Sequence, residues 1–124
     1  MVLDSHVLNK KVMDLLDDKK AKDIISINVA KVTTLTDYFI ICSGTSDRHR
    51  KSLADDVQEM MENDNMRMLS KEGYNSANWI LLDYGDLVVN IFSPEAREKY
   101  SLERLWSDGV LSDLRSIGNT EETK

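Results

Sequence analysis

The stretch WILLDYGDLVVNIF, residues 79–92, decides the fold of this chain. Two apolar runs flank the short segment Asp83-Tyr84-Gly85-Asp86, and so short a connection predicts an antiparallel pair of strands. The aliphatic residues suit strands that other parts of the chain cover. Trp79 and Asn90 do not suit an aliphatic core, which indicates that this hairpin does something besides packing.

Strand parity predicts where those two residues lie. Trp79, Leu81 and Asp83 share one face of the first strand. On the second strand, Asn90 shares a face with Val88 and Phe92. If the two faces coincide, Trp79, Leu81, Asp83 and Asn90 form one patch with an apolar centre and a polar rim. That anatomy is typical of a protein-docking surface. Core packing is the alternative, and we expect it for Phe92.

The rest of the chain predicts helices around a larger sheet. Apolar residues at helical spacing, and a proline at a first helical position, predict helices at 6–19, at 46–63 and from Pro94. Ser46 is the expected N-cap of the second of these helices. Apolar or alternating runs predict further strands at Asp23–Val29, Tyr38–Cys42 and Met66–Lys71. The expected fold is α+β, with a mixed five-stranded sheet flanked by helices. The strand–helix–strand step at 38–71 favours a crossover between parallel strands.

Composition and charge narrow the classes of function. The net charge of −6 and the dispersed basic residues argue against direct nucleic-acid binding as the main activity. An acidic protein can still dock on a basic protein of a ribonucleoprotein. The single cysteine, Cys42, lies in an apolar run and is expected to be a core thiol. No segment predicts a signal peptide or a membrane span, so we expect a cytoplasmic protein.

An enzyme is the alternative function. Asp37, Asp83 and Asp86 near strand ends could bind Mg²⁺ for nucleotidyl transfer, and the turn 43–46 before a helix could cradle phosphate. Such enzymes need two carboxylates two positions apart on one strand, whereas Asp83 and Asp86 are three apart across a turn. The two histidines, His6 and His49, have no paired acid or cysteine at ligand spacing, and we expect both to be solvated.

Three blocks of sequence resemble those of the ribosomal silencing factor family, RsfS, also called Iojap. They are DYFIICSGTS at 37–46, EG at 72–73 followed by WILLDYGDLVV at 79–89, and REKYSLERLW at 97–106. The blocks match in order from about residue 5 to residue 108. The extent of the resemblance predicts a single domain over 1–108. Beyond it, the weak apolar pattern and the polar residues 118–124 predict a C-terminal tail, 109–124, that is partly disordered.

The resemblance implies a fold similar to the nucleotidyltransferase sheet without catalytic carboxylates, with no enzymatic activity and no cofactor. Family members bind the large ribosomal subunit through ribosomal protein L-fourteen. They block joining of the small subunit and reduce translation in starvation or stationary phase, and free members tend to be homodimers.

The resemblance and the patch together give the expected contact residues. They are Trp79, Leu81, Asp83, Tyr84, Asn90, Tyr100, Leu102 and Glu103. Family members commonly carry histidine where this chain has Asn90. An asparagine keeps a hydrogen-bond donor and an acceptor but cannot titrate.

Overall fold

Five strands form one mixed sheet in the computed structural model, which describes residues 4–31 and 34–100. The helices are α1 (Ser5–Asp18), α2 (Asp47–Asn63) and α3 (Pro94–Tyr100). The strands are β1 (Lys22–Asn28), β2 (Tyr38–Ser43), β3 (Ser70–Glu72), β4 (Trp79–Asp83) and β5 (Leu87–Phe92). The strand order is β1-β2-β5-β4-β3, and β2 and β5 are parallel while the other neighbours are antiparallel. The predicted α+β fold is confirmed. The predicted tail at 109–124 lies outside the described residues.

The β4–β5 hairpin forms as predicted, and its turn has local causes. The carboxylate of Asp83 accepts the backbone N–H of Gly85 at 2.8 Å, so the aspartate side chain closes the start of the turn. Gly85 has a φ of +86°, a left-handed conformation that suits glycine. The Tyr84 N–H then donates to the Leu87 carbonyl at 2.9 Å.

The strand β3 differs from its prediction. The alternation of Met66 and Met68 predicted a strand from residue 66, but β3 begins at Ser70 and has 3 residues. Both methionines instead pack, partly buried, against the core between the sheet and the helices. Pairing along the sheet makes β2 and β3 parallel, as the crossover prediction required, but β5 and β4 lie between them.

The turn between β2 and α2 is held by a buried arginine. Ser46 is the N-cap of α2, as predicted, and its hydroxyl accepts the N–H of His49 at 3.0 Å. Arg50 in the first turn is 5% exposed and donates to the carbonyls of Gly44 and Ala77. A Cβ at Gly44 would lie 2.5 Å from the Arg50 side chain, so the arginine requires glycine there. The guanidinium therefore ties together the loops at this end of the sheet.

The two faces of the sheet pack against different helices. On one face, aliphatic side chains of β2, β4 and β5 pack against the apolar stripes of α1 and α2; we call it the helix-packed face. On the other face, Ile27, Ile41 and Phe92 pack with Ala96 of α3, and Trp79 is a partly buried neighbour. None of the helices in the described part of the chain is long and apolar enough to span a membrane.

Candidate docking surface

The register of β4 and β5 brings the predicted patch together. Leu81 pairs with Asn90, Trp79 with Phe92, and Asp83 with Val88. Directly paired residues point to the same side of a sheet, so Trp79, Leu81, Asp83 and Asn90 lie on one face. We call this side of the two strands the Trp79 face. The two mixed-polarity faces therefore coincide, which is the condition that the expected patch required.

Trp79 is the central aromatic group of the Trp79 face. Its side chain is half-buried, and its ring lies against that of Phe92, with 4.9 Å between the centroids and 31° between the planes. The indole N–H donates to the Asn90 side-chain oxygen at 2.9 Å. The ring is therefore held both by a stacking partner and by a hydrogen bond at its polar edge.

Asn90 does not offer a surface to a partner. Its side chain is 0% exposed, and its amide N–H₂ donates to the Ile40 carbonyl at 3.4 Å while its oxygen accepts from Trp79. The expectation that Asn90 is an accessible contact residue is therefore wrong. Parity predicted its face correctly, but burial depends on neighbouring strands, which parity does not describe.

Tyr84 is also buried, and it belongs to the opposite side of the sheet. It is 6% exposed and packs in the core cluster under α1 and α2. Its hydroxyl has no hydrogen-bond partner within the residues that the structure describes. Burial, and secondarily the Glu62 carboxylate, raise the pKa of Tyr84 to about 12. As an accessible contact, Tyr84 is a wrong prediction, because the turn directs its ring into the core.

Leu81 and Asp83 remain accessible members of the patch. Both are half-buried, and exposed Glu72 of β3 pairs with Leu81 on the far side of β4. Tyr100 is the last residue of α3, but its side chain, like Leu102 and Glu103, lies outside what the structure describes. The accessible patch described here thus consists of Trp79 and Leu81 with acidic groups beside them.

The three carboxylates considered for catalysis have other partners. Asp83 caps the turn through Gly85, and the Asp37 carboxylate accepts the hydroxyl of Ser5 at 3.0 Å. Asp86 is exposed, and its carbonyl accepts the Asp37 N–H at 3.0 Å. Across residues 4–31 and 34–100, no group of three or more His, Cys, Asp or Glu side chains could hold a metal ion.

A small cleft lies at the turn 43–46, the segment considered for phosphate binding. Its volume is about 480 Å³, and it is lined by Lys22, Asp23, Ser43, Gly44, Thr45, Pro94, Arg97 and Glu98. The Arg97 guanidinium donates to the Asp23 carbonyl at 2.6 Å and to the Ser43 hydroxyl at 3.2 Å. This cation therefore fastens α3 to the ends of β1 and β2.

The remaining reactive side chains have structural surroundings. Cys42 is buried as predicted, and burial raises its pKa from 9.0 to about 12, which keeps the thiol protonated. His6 is exposed and lies 3.0 Å from the Tyr38 hydroxyl. The expectation that His49 is solvated is wrong, because its imidazole has partners within the chain. Its Nδ1 accepts the Thr45 N–H at 3.0 Å, and its Nε2 lies 3.0 Å from the Lys19 carbonyl.

Comparisons with known proteins match most of the chain. The family model described as "Ribosomal silencing factor during starvation" matches residues 3–124. Ribosomal silencing factor RsfS of Bacillus subtilis is 37% identical over 98 residues, which cover 79% of this chain and 83% of that protein. A mouse protein named "Mitochondrial assembly of ribosomal large subunit protein 1" is 35% identical over 99 residues, 77% of this chain and 43% of that protein.

A solved structure matches the fold as well. The crystal structure of a Chromobacterium violaceum protein superposes with a TM-score of 0.81 at 35% identity, and the match covers 84% of this chain and 87% of that one. The mixed five-stranded sheet with flanking helices is therefore shared with a protein of related sequence.

Proposed function

Because this chain belongs to the ribosomal silencing factor family, we propose that it binds the large ribosomal subunit, blocks its association with the small subunit and so represses translation. The mouse relative, whose name refers to assembly of the ribosomal large subunit, supports the choice of subunit. The family description refers to starvation, and the repression is proposed to act then or in stationary phase.

The proposed docking surface is the Trp79 face. The observation that carries this proposal is the half-buried Trp79, whose ring is fixed by Phe92 and Asn90 with Leu81 and Asp83 beside it. Tryptophan is over-represented among the residues that dominate binding energy, and such residues are usually bordered by groups that exclude water. By resemblance, Tyr100, Leu102 and Glu103 extend this surface, and ribosomal protein L-fourteen is its partner.

Charge supports a protein partner rather than RNA. The chain carries a net charge of −6. Asp83 lies on the Trp79 face, Glu72 pairs with Leu81, and Asp86 is exposed in the turn that follows β4. Acidic rim groups attract a basic protein and mainly raise the association rate. The same groups repel the phosphates of RNA.

The proposed mechanism is steric and needs no chemistry. A chain seated on the large subunit at its interface with the small subunit occupies the contact area that joining requires. The protein is proposed to act in the cytoplasm and to form homodimers when free.

Sedimentation with purified ribosomal subunits tests this function. The chain should pellet with large subunits and not with small ones, and it should reduce 70S formation in a subunit-joining assay. Trp79→Ala should lose both effects. Tyr74→Ala is the matched control, because Tyr74 is a half-buried aromatic residue held by Lys71 and Asp55 away from the Trp79 face. Equal pelleting of Trp79→Ala and the wild-type chain would refute the proposed surface.

The nucleotidyltransferase alternative gains no observation in its favour from the described residues. Asp83 serves the hairpin turn, and the three carboxylates do not form a metal-holding group. Calorimetry with ATP and Mg²⁺ at millimolar concentration addresses it directly, since binding heat would restore it.

A further inference from the structure

A fully buried amide contacts the polar edge of Trp79. We propose that Asn90 is a positioning residue for docking: its side chain fixes the orientation of the Trp79 indole, so that a partner meets one preset ring. This inference deepens the proposed function and rests on it. It changes Asn90 from a residue that a partner touches into one that acts through its neighbour.

The geometry explains how one amide orients the ring. Trp79 pairs with Phe92 across the strands, and Asn90 is two residues before Phe92, at the diagonal position that a tryptophan can reach. The stack on Phe92 restrains the plane of the indole, with 4.9 Å between the ring centroids. The hydrogen bond of 2.9 Å to Asn90 restrains the direction of the Nε1 edge. Together the two contacts leave the ring little freedom to rotate.

Burying the Asn90 amide costs free energy unless its oxygen and its N–H₂ group are hydrogen-bonded. Asn90 is 0% exposed, as are Val89 and Ile91 on either side of it. Aliphatic residues need no hydrogen-bond partners in such a place, whereas an amide must satisfy both its oxygen and its N–H₂ group. The amide oxygen meets the indole N–H, which can only donate, and the N–H₂ group meets the Ile40 carbonyl. Both polar ends are thus used, and one of them is used on Trp79.

The fixed orientation of the Trp79 ring should lower the entropy cost of binding a partner. A free ring on a sheet surface samples several rotamers, and a partner must select one of them at a cost in entropy. A ring that is already fixed avoids much of that cost. Loss of the Asn90 contact should therefore weaken docking even though Asn90 never touches the partner.

The first experiment compares Asn90→Leu with Asn9→Leu. Both substitutions remove a buried amide. Asn9, however, lies on α1 and not beside Trp79, and its oxygen accepts the Ser26 hydroxyl at 2.6 Å. The readout is the indole N–H resonance of Trp79 in the free protein, assigned by its absence in Trp79→Phe. In Asn90→Leu we expect the resonance to shift and exchange faster with water, and large-subunit binding to weaken about tenfold. In Asn9→Leu both should match the wild type.

The second experiment uses Asn90→His, which keeps the hydrogen-bonding pattern. A neutral imidazole has one acceptor nitrogen and one N–H donor, so it can serve both Trp79 and Ile40. Imidazole protonation, near pH 6.5 for an unperturbed histidine, leaves donors only. We expect binding within about twofold of wild type at pH 8 and, as the imidazole protonates, about tenfold weaker at pH 5.5. The wild-type chain should change less than Asn90→His over that interval.

The outcomes separate the inference from the proposed function. An unshifted indole resonance in Asn90→Leu, or an Asn90→His variant whose binding follows the wild-type pH response, overturns the positioning role and leaves the docking surface in place. Normal large-subunit binding by Trp79→Ala overturns the docking surface itself, whatever the resonance shows.

Discussion

The same two strands, β4 and β5, build the two faces of the sheet, and their side chains differ in kind. On the helix-packed face they contribute Ile80, Leu82, Leu87, Val89 and Ile91, all 0% exposed. On the Trp79 face they contribute a tryptophan, an aspartate and an asparagine among apolar residues. The side chains that β4 and β5 contribute to the first face are aliphatic and act by packing. The second adds a hydrogen bond and an aromatic stack that fix one ring, which is what recognition needs and stability does not.

The most severe test of this contrast is a cavity on the helix-packed face. Leu82→Ala removes a fully buried side chain, and we expect the free energy of unfolding to fall by about 2–5 kcal/mol. Urea denaturation measures the change. The fraction that remains folded should bind large subunits with unchanged affinity, and a specific loss of affinity in that fraction would show that the two faces are not separable.

Trp79→Ala tests the other face. We expect large-subunit affinity to fall by about 2–4 kcal/mol, as for a central aromatic anchor. The free energy of unfolding should fall by less than in Leu82→Ala, because Trp79 is only half-buried. Binding titrations and urea denaturation on the same preparations give both values. A larger loss of stability than of affinity would make Trp79 a core residue.

Tyr84→Phe sharpens the contrast at a residue that the resemblance included among the contacts and that the structure buries on the helix-packed face. Removing a buried hydroxyl without a described partner should raise the free energy of unfolding by about 1 kcal/mol and leave subunit binding unchanged.

The pH response gives a second measurement on Tyr84→Phe. Burial raises the pKa of Tyr84 from 10.0 to about 12, so ionisation favours the unfolded chain. Wild-type stability should therefore fall as the pH rises above 10, and the variant should lose that part of the fall. Weaker subunit binding by Tyr84→Phe would return the hydroxyl to the docking surface.

Asp83→Asn gives the smallest expected effect. The asparagine oxygen can still accept the Gly85 N–H, so the turn is kept while one rim charge is removed. We expect an affinity change of about 0.2–1 kcal/mol, mostly in the association rate, and a weaker dependence on salt. Association rates measured at several salt concentrations check this. An unchanged salt dependence would remove Asp83 from the electrostatic rim.

Local sequence patterns predicted the parts of the fold that have local causes. The hairpin followed from two apolar runs around an Asp-Tyr-Gly-Asp turn, and the start of α2 followed from Ser46. The start of β3 was predicted too early, at Met66 instead of Ser70, because alternating methionines also suit a segment that packs against helices. The insertion of β5 beside β2 is a long-range pairing that no local pattern encodes.

The sequence predicted which face of the sheet carries the candidate site, but it did not predict which of its side chains are buried. Parity placed Trp79, Leu81, Asp83 and Asn90 on one face, and the register agrees. Parity could not show that Asn90 is covered, since its burial arises from β2 on one side and Trp79 on the other. The sequence predicts a solvated His49 because nothing in its pattern shows that the Thr45 N–H and the Lys19 carbonyl meet the imidazole in the folded chain.

The length of the turn between β4 and β5 determines which residues of β5 lie on each face of the sheet. Asp83 pairs with Val88, so every residue of β5 is assigned to its side by the four residues between them. One inserted residue that shifted this register would move Asn90 to the helix-packed face and would move Val89 and Ile91 to the Trp79 face, whereas two inserted residues would restore the assignment. Engineering that lengthens this protein should therefore avoid odd-numbered insertions at 84–86.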